Sequence, residues 1–453
     1  MVRPAKQAIT LRSANLAPPH GLRPALNDRL AGAVIAYDDV LSARLEPPPF
    51  HYPAMMVSPM QGVLLDAVLE IRGGHGYVLD PFLGSATTLG EAASRGLPFT
   101  GLDINPLAIL LGHVESAEAA GLGVEASVHD VVDRARRWQG TLLPSDQPWC
   151  RKWFRPDVAA DLTSLRASIA EQPDVRERRL LWAAMAEVVR LSGNHRAGAP
   201  KLQTRPSAAL GRALDVIGAF ESRALRIVEQ MEKRYDRYRR AGWYIRCGGR
   251  PDLHLICADV RRLRPPDRLA DIVLTSPPYG DNHTTMPYGQ VSYLPLRWID
   301  ISDIDRSIDP RLLVASKALD TASLGGSLRV DVAALDCLRE RSPTLSDLLR
   351  RLRDSPPQAL KRTGSFFIDL DAGLQRIASA TASDAHVVMT LGDKTTYGQG
   401  IPTTQIMCEL LDSYGFRTVK RLPRRIGRAK RLAPRNEFGT TIGTETVILA
   451  ERC

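Results

Sequence analysis

The chain has 453 residues, 44% of them hydrophobic and 24% charged, with a formal net charge of +10. That composition excludes a disordered or fibrous polymer and suits one large core or two domains, while the basic excess favours a polyanionic partner. No apolar run approaches the roughly 20 residues of a membrane span and the N-terminus has no leader-like apolar region, so the sequence implies a cytoplasmic protein that does not enter membranes.

In chain order, residues 1–49 are punctuated by proline, end in Glu46-Pro47-Pro48-Pro49 and read as an N-terminal arm. Phe50 to Glu70 combines Tyr52-Pro53-Ala54-Met55-Met56 with a helical pattern through Val63, Leu64, Ala67 and Val68. Tyr77-Val78-Leu79-Asp80 is a short apolar strand ending in a carboxylate, followed by the small-residue turn Pro81-Phe82-Leu83-Gly84-Ser85-Ala86-Thr87-Thr88 and a helix over Leu89 to Ala93. Such a turn lets a ligand approach backbone N–H groups at a helix start. Phe99 to Asp103 is a second strand, and its carboxylate, 23 residues after Asp80, suits a ribose diol. A helix over 104–120 starts at Asn105-Pro106, where proline's missing N–H costs little.

From 125 to 250 the pattern becomes helical. Leu180, Leu181, Ala184, Val188 and Leu191 mark one helix, and Gly193 to Pro200 breaks it. A longer helix runs from near Ser207 to Arg240, and its apolar stripe includes Leu210, Leu214, Ile217, Phe220, Val228 and Met231. The six cysteines, at 150, 247, 257, 337, 408 and 453, form no Cys-x-x-Cys pair, so no metal site or disulfide framework is expected.

The sheet pattern returns at Leu253 to Asp259 and again at Asp271-Ile272-Val273-Leu274-Thr275. The second of these runs into Ser276-Pro277-Pro278-Tyr279. Two prolines fix φ and remove two backbone donors, which leaves rigid carbonyl acceptors between a hydroxyl and an aromatic ring. That set can accept hydrogen bonds from an amino group and stack the flat ring that carries it, as the exocyclic amine of a nucleobase requires. Residues 281–365 form a variable stretch that opens with Asn282, His283, Thr284, Thr285 and Tyr288. Helix around Phe366 to Ala380, strand over His386 to Leu391, helix over 404–414 and strands near 416–421 and 444–450 complete the pattern. Strands alternating with helices imply an α/β, doubly wound, mostly parallel sheet with covered faces. The expected organisation is a catalytic domain over 50–124 and 251–453, interrupted by the helical insertion 125–250, with 281–365 as the target-recognition segment.

Residues 80–88 and 276–279 together resemble the S-adenosylmethionine-dependent amino-methyltransferases of DNA. The cofactor motif of that family reads Asp-Pro-Phe-x-Gly-Ser-Gly-Thr-Thr, matched here except at Ala86, and its catalytic motif is Asp/Asn/Ser-Pro-Pro-aromatic. The resemblance covers about 50–115 and 250–450 and implies a seven-stranded, Rossmann-like methyltransferase sheet. It implies S-adenosylmethionine as cofactor, held by Asp80, Pro81, Phe82, Gly84, Ser85, Thr87, Thr88, Asp103, Ile104 and Asp259. Asp80 would face the methionine ammonium, Asp103 the ribose hydroxyls and Asp259 the adenine amine. An alanine at 86 would crowd the cofactor slightly and weaken its binding.

The catalytic set implied is Ser276, Pro277, Pro278 and Tyr279, acting on a base extruded from double-stranded DNA. In the family the Ser form with a preceding Thr is typical of cytosine-N4 enzymes, which makes that the first reading. Adenine-N6 methylation of DNA, base-amine methylation of RNA and a non-catalytic cofactor-binding module stay open. Arg421, Arg424, Arg425, Arg428, Lys430 and Arg431 lie in a basic run broken by Pro423, Gly427 and Pro434 and are the candidate phosphate contacts. No nuclease constellation is visible, so a restriction partner would be a separate protein.

Overall fold

The computed structural model describes residues 49–53, 55–140, 147–196, 201–205, 214–244, 252–396, 398–425 and 443–453. Helix α1 (Ser58–Ile71) leads into β1 (Val78–Asp80), α2 (Thr87–Ala93), β2 (Phe99–Asp103) and α3 (Pro106–Glu115). Five helices follow: α4 (Val124–Arg137), α5 (Pro148–Trp153), α6 (Pro156–Ala170), α7 (Val175–Ser192) and α8 (Val216–Arg240). The chain then returns through β3 (Leu253–Cys257) and β4 (Ala270–Thr275) to α9 (Tyr288–Trp298), α10 (Ala318–Ala322), α11 (Val332–Arg341), α12 (Pro343–Arg351) and α13 (Pro357–Ser379). The last elements are β5 (Thr381–Gly392), β6 (Lys394–Thr396), β7 (Gln399–Ile401), α14 (Thr403–Ser413), β8 (Phe416–Arg425) and β9 (Thr444–Arg452).

Seven strands form one sheet in the order β3-β2-β1-β4-β5-β9-β8, and β6 pairs with β7 as a separate ribbon. The first five are mutually parallel, and β9 runs antiparallel between β5 and β8. The order reverses between β1 and β4, which are direct neighbours through Val78–Ile272 and Leu79–Val273. In an open α/β sheet the crevice beyond the carboxyl ends of the strands at such a reversal is where ligands bind.

The strand sequences follow from burial on both faces. Along β4, Ile272 and Leu274 join the core on one side of the sheet while Val273 joins the other, so an unbroken apolar run is required. The helices α1 to α9 cover the first side, and the same cluster takes in Trp182 of α7, Phe220 of α8 and Trp298 of α9. The helices α11 to α14 cover the second. The helical stretch after α3 therefore shares its core with the sheet. It is also tied to the segment following α9, where Arg178 and the Trp182 indole N–H both bond the Asp303 carboxylate.

Several elements start elsewhere than the sequence pattern suggests, among them β5, which begins at Thr381 and not at His386. Helix α13 begins at Pro357, nine residues before the Phe366 expected, because a proline at the first turn is compatible with a helix. Helix α8 begins at Val216, where the Asp215 side chain caps the Gly218 amide, and the expected start near Ser207 lies outside the described residues.

Candidate active site

The two sequence motifs meet at the reversal. Asp80 closes β1 and is fully buried. Its Oδ1 accepts from the Thr275 hydroxyl at 2.6 Å and from the Phe82 amide at 3.1 Å. Thr275 is the last residue of β4 and immediately precedes Ser276. One side chain therefore joins the acidic turn to the Ser-Pro-Pro-Tyr segment. Asp80 Oδ2 is buried and has no hydrogen-bond partner. Burial pushes the carboxyl up to about 6, against the opposing pull of the Thr275 and Thr88 hydroxyls and the Phe82 amide. A buried carboxylate oxygen with nothing bound to it fits a cationic group of a ligand.

The turn itself is shaped by two left-handed residues, Gly84 at φ 52° and Ala86 at φ 60°. Ala86 is fully buried, and its Cβ puts it in a conformation that costs a non-glycine residue about 1–2 kcal/mol. The consequence of alanine at this family glycine position is thus seen in the backbone. The Ser85 and Thr87 hydroxyls lie 3.0 Å apart at the start of α2, while Thr88 Oγ1 is buried without a partner. Pro81 is buried, and Phe82 and Ile104 are half-buried.

Asp103, at the end of β2, ties this turn to the next one. Its two oxygens accept from the Gly84 amide and the Asn105 amide, each at 2.9 Å. Burial raises this carboxyl also to about 6, opposed by those amides. Asn105 then caps α3 through the Leu107 amide, and its Nδ2 donates to the Tyr52 hydroxyl at 3.0 Å and to Ser292 Oγ at 2.8 Å. Tyr52 stacks on Tyr288 with centroids 5.6 Å apart. The lead-in segment and the start of α9 therefore wall the same site.

Asp259 departs from expectation. It caps the turn after β3, and Arg261 engages both of its oxygens at 2.9–3.0 Å through Nε. Arg261 is held in turn by Asp369 at 2.6 Å and by the Ala322 carbonyl. The carboxylate expected to await an adenine amine is instead committed to an arginine-centred cluster.

At the catalytic segment, the Ser276 hydroxyl donates to the Thr390 carbonyl of β5 at 2.9 Å. Its proton is thereby committed, and the oxygen's lone pairs remain as acceptors. Pro277 is buried and Pro278 half-buried. The half-buried Tyr279 donates its hydroxyl to Glu445 Oε1 at 2.9 Å. Asp281, two residues on, is buried between Arg362 at 3.0 Å and Lys394 at 3.5 Å. Lys394 lies so close to Gly280 that a Cβ there would sit 2.0 Å from Nζ. The sequence reading missed Asp281, Lys394 and Glu445, and the last two lie more than 110 residues downstream with no local motif to flag them.

The basic run also differs from expectation. Residues 420–425 belong to strand β8, at the sheet edge where Pro423 is tolerated, and not to a loop. Arg424 is 5% exposed and pairs with Glu445 at 2.8 Å, so its charge faces a carboxylate and not a phosphate. Arg421 remains exposed and bonds Gln405. Arg425 is a strand residue, and Arg428, Lys430 and Arg431 lie outside the described residues. Among the described residues no cluster of three or more His, Cys, Asp or Glu could hold a metal, and no helix is long and apolar enough to cross a membrane.

A seven-stranded, mostly parallel α/β sheet of methyltransferase type, with an acidic turn beside a Ser-Pro-Pro-Tyr segment, is the class these features define. No family model matches the chain. A similar curated protein is the Type II methyltransferase M.MvaI of Kocuria varians, 25% identical over 411 residues, spanning 88% of this chain and 87% of that protein. Two structures of the rRNA methyltransferase aviRa from Streptomyces viridochromogenes, at 1.5 Å and 2.4 Å, align over 88% and 93% of this chain and 86% and 92% of theirs. Both share 13% identity with a TM-score of 0.30, and nothing further rests on them.

Proposed function

We propose that this chain methylates the exocyclic N4 amine of cytosine in double-stranded DNA, using S-adenosylmethionine. The observation that carries the reading is the Thr275–Asp80 hydrogen bond, which joins the ligand turn to the amine-gripping segment at one rim. The Thr-Ser-Pro-Pro-Tyr form of that segment supports cytosine as the base. The similarity to a Type II methyltransferase supports DNA as the substrate and a restriction enzyme as a separate partner.

Asp80 Oδ2, ionised, holds the ammonium of the methyl donor, and Asp103 accepts from its ribose hydroxyls while still bonding the two turn amides. The small residues 84–88 let the backbone close on the ligand. S-adenosylmethionine supplies an electrophilic methyl on a sulfonium. The target amine is a weak nucleophile because its lone pair is delocalised into the ring. The Pro277 carbonyl and Ser276 Oγ each accept one of its N–H groups, which draws the lone pair out of conjugation and fixes its direction. The rate then comes largely from positioning. As the new N–C bond formed, the donor's S–CH3 bond would break, S-adenosylhomocysteine would leave, and one proton would pass from the methylated amine to solvent. In a duplex the base must be unstacked at a cost of about a few kcal/mol, offset by pocket and phosphate contacts.

The test is incubation with labelled S-adenosylmethionine and DNA or RNA, followed by base analysis. N4-methylcytosine in DNA is expected. Label in N6-methyladenine, label only in RNA, or binding without transfer each overturns the cytosine-N4 reading in favour of a distinct alternative.

A further inference from the structure

Three strands bring their ends to one corner of the rim. Strand β4 ends in Thr275 and passes into Tyr279. Strand β5 presents the Thr390 carbonyl to Ser276, and β9 opens there with Thr444 and Glu445. The register sets Glu445 directly between Gly392 of β5 and Arg424 of β8. Its two oxygens are divided: Oε1 accepts from the Tyr279 hydroxyl at 2.9 Å and Oε2 from Arg424 Nη1 at 2.8 Å. Arg424 is 5% exposed, and the Glu445 side chain only 17%. Charge-assisted bonds held away from water are short and directional. The phenol is thus fixed at its far end by an acid that is itself fixed by a buried guanidinium.

We propose that Glu445 and Arg424 are positioning residues that fix the direction of the Tyr279 ring axis, and so the place of the ring, against the target base. The inference rests on the reading of Tyr279 as the stacking residue of the base pocket. The ring is anchored to the polypeptide at one end and by its hydroxyl at the other. It cannot swing about its Cα–Cβ bond without breaking the Glu445 contact, whereas rotation about Cβ–Cγ leaves the hydroxyl oxygen in place. A stacked base therefore meets a platform whose position is held by the β9–β8 pairing, 166 residues from the tyrosine in sequence. Tyrosine, not phenylalanine or tryptophan, is the aromatic this arrangement uses, because only the phenol reaches the carboxylate.

The experiment is a double-mutant cycle with Tyr279→Phe and Glu445→Gln, read as single-turnover methyl transfer and, separately, as cofactor dissociation constant. Glutamine keeps the shape and an acceptor oxygen, so Arg424 is not left facing an apolar gap. Tyr279→Phe is expected to slow transfer about tenfold, less than the roughly hundredfold that about 1 Å of misplacement can cost, with cofactor affinity unchanged. Glu445→Gln is expected to slow transfer about threefold in the parent and to have no further effect in the Tyr279→Phe background. Equal slowing by Glu445→Gln in both backgrounds overturns the proposal, as does full activity of Tyr279→Phe. If the parent protein transfers no methyl, the reading of the site has failed, and the same cycle in urea unfolding decides the tether. Coupling between the two substitutions there upholds it, and additive effects overturn it.

Discussion

Two carboxylates stand at comparable places in the sheet and have opposite fates. Asp80, beyond β1, has one oxygen bonded and one buried with no partner. Asp259, beyond β3, has both oxygens held by Arg261. In sequence the two look alike: an apolar run, then an acid. Whether the acid is available to a ligand depends on what the fold brings beside it, a hydroxyl in the first case and a guanidinium in the second. Ser276 lies between these extremes, with its proton committed to Thr390 and its lone pairs left over.

Substitutions can break or sharpen that contrast. The largest effect is expected at Ser276→Ala, which removes a preorganised acceptor of the target amine. Transfer should fall about a hundredfold or more, roughly 3 kcal/mol, with the cofactor dissociation constant unchanged; rapid-quench kinetics and calorimetry measure the two. Asp80→Asn should weaken cofactor binding by about 2 kcal/mol, near thirtyfold, by removing the charge that meets the ammonium. Asp259→Asn should leave that binding constant within about twofold and instead lower unfolding free energy by about 1 kcal/mol, as loss of one paired hydrogen bond predicts. If Asp259→Asn weakened the cofactor as much as Asp80→Asn, the contrast would collapse.

The pH dependence follows from the same groups. Asp80 and Asp103 are raised from 3.8 to about 6 by burial. In the free protein their protonated forms are favoured by folding, so this contribution to stability is present below about pH 4 and is lost as pH rises through about 6. A cationic ligand needs Asp80 ionised, so affinity should move the other way. With the carboxyl titrating at about 6, the dissociation constant should rise about tenfold between about pH 7 and about pH 5, and Asp80→Asn should flatten the profile.

The smallest effect is expected at Ala86. Ala86→Gly relieves a left-handed alanine but loosens the unfolded chain, so stability should stay constant or rise by up to about 1 kcal/mol. Ala92→Gly, within α2, should lower it by about 1 kcal/mol. Urea titrations of the two variants make the comparison.

The sheet was readable because its central strands are apolar on both faces and end in recognisable chemistry. Asp80, Asp103 and Ser276 each carry a local pattern, and their meeting followed from the α/β rule that loops gather at one rim. Asp259 misled because nothing in the sequence says that Arg261, two residues on, turns back to hold it, an arrangement fixed by Asp369 far downstream. Arg424 misled for the opposite reason. It sits in a dense basic run, where composition speaks for solvent and phosphate, yet strand alternation turns that one side chain inward to Glu445. Glu445 and Lys394 touch the catalytic segment only through the folded sheet, so nothing in their neighbouring residues flags them.

The Thr275 hydroxyl gives the two pockets a common wall stud. A change in charge state on Asp80 is felt one residue away from the atom that grips the amine. Whatever factor donor occupancy lends to capture of the base, the captured base must return to retention of the donor.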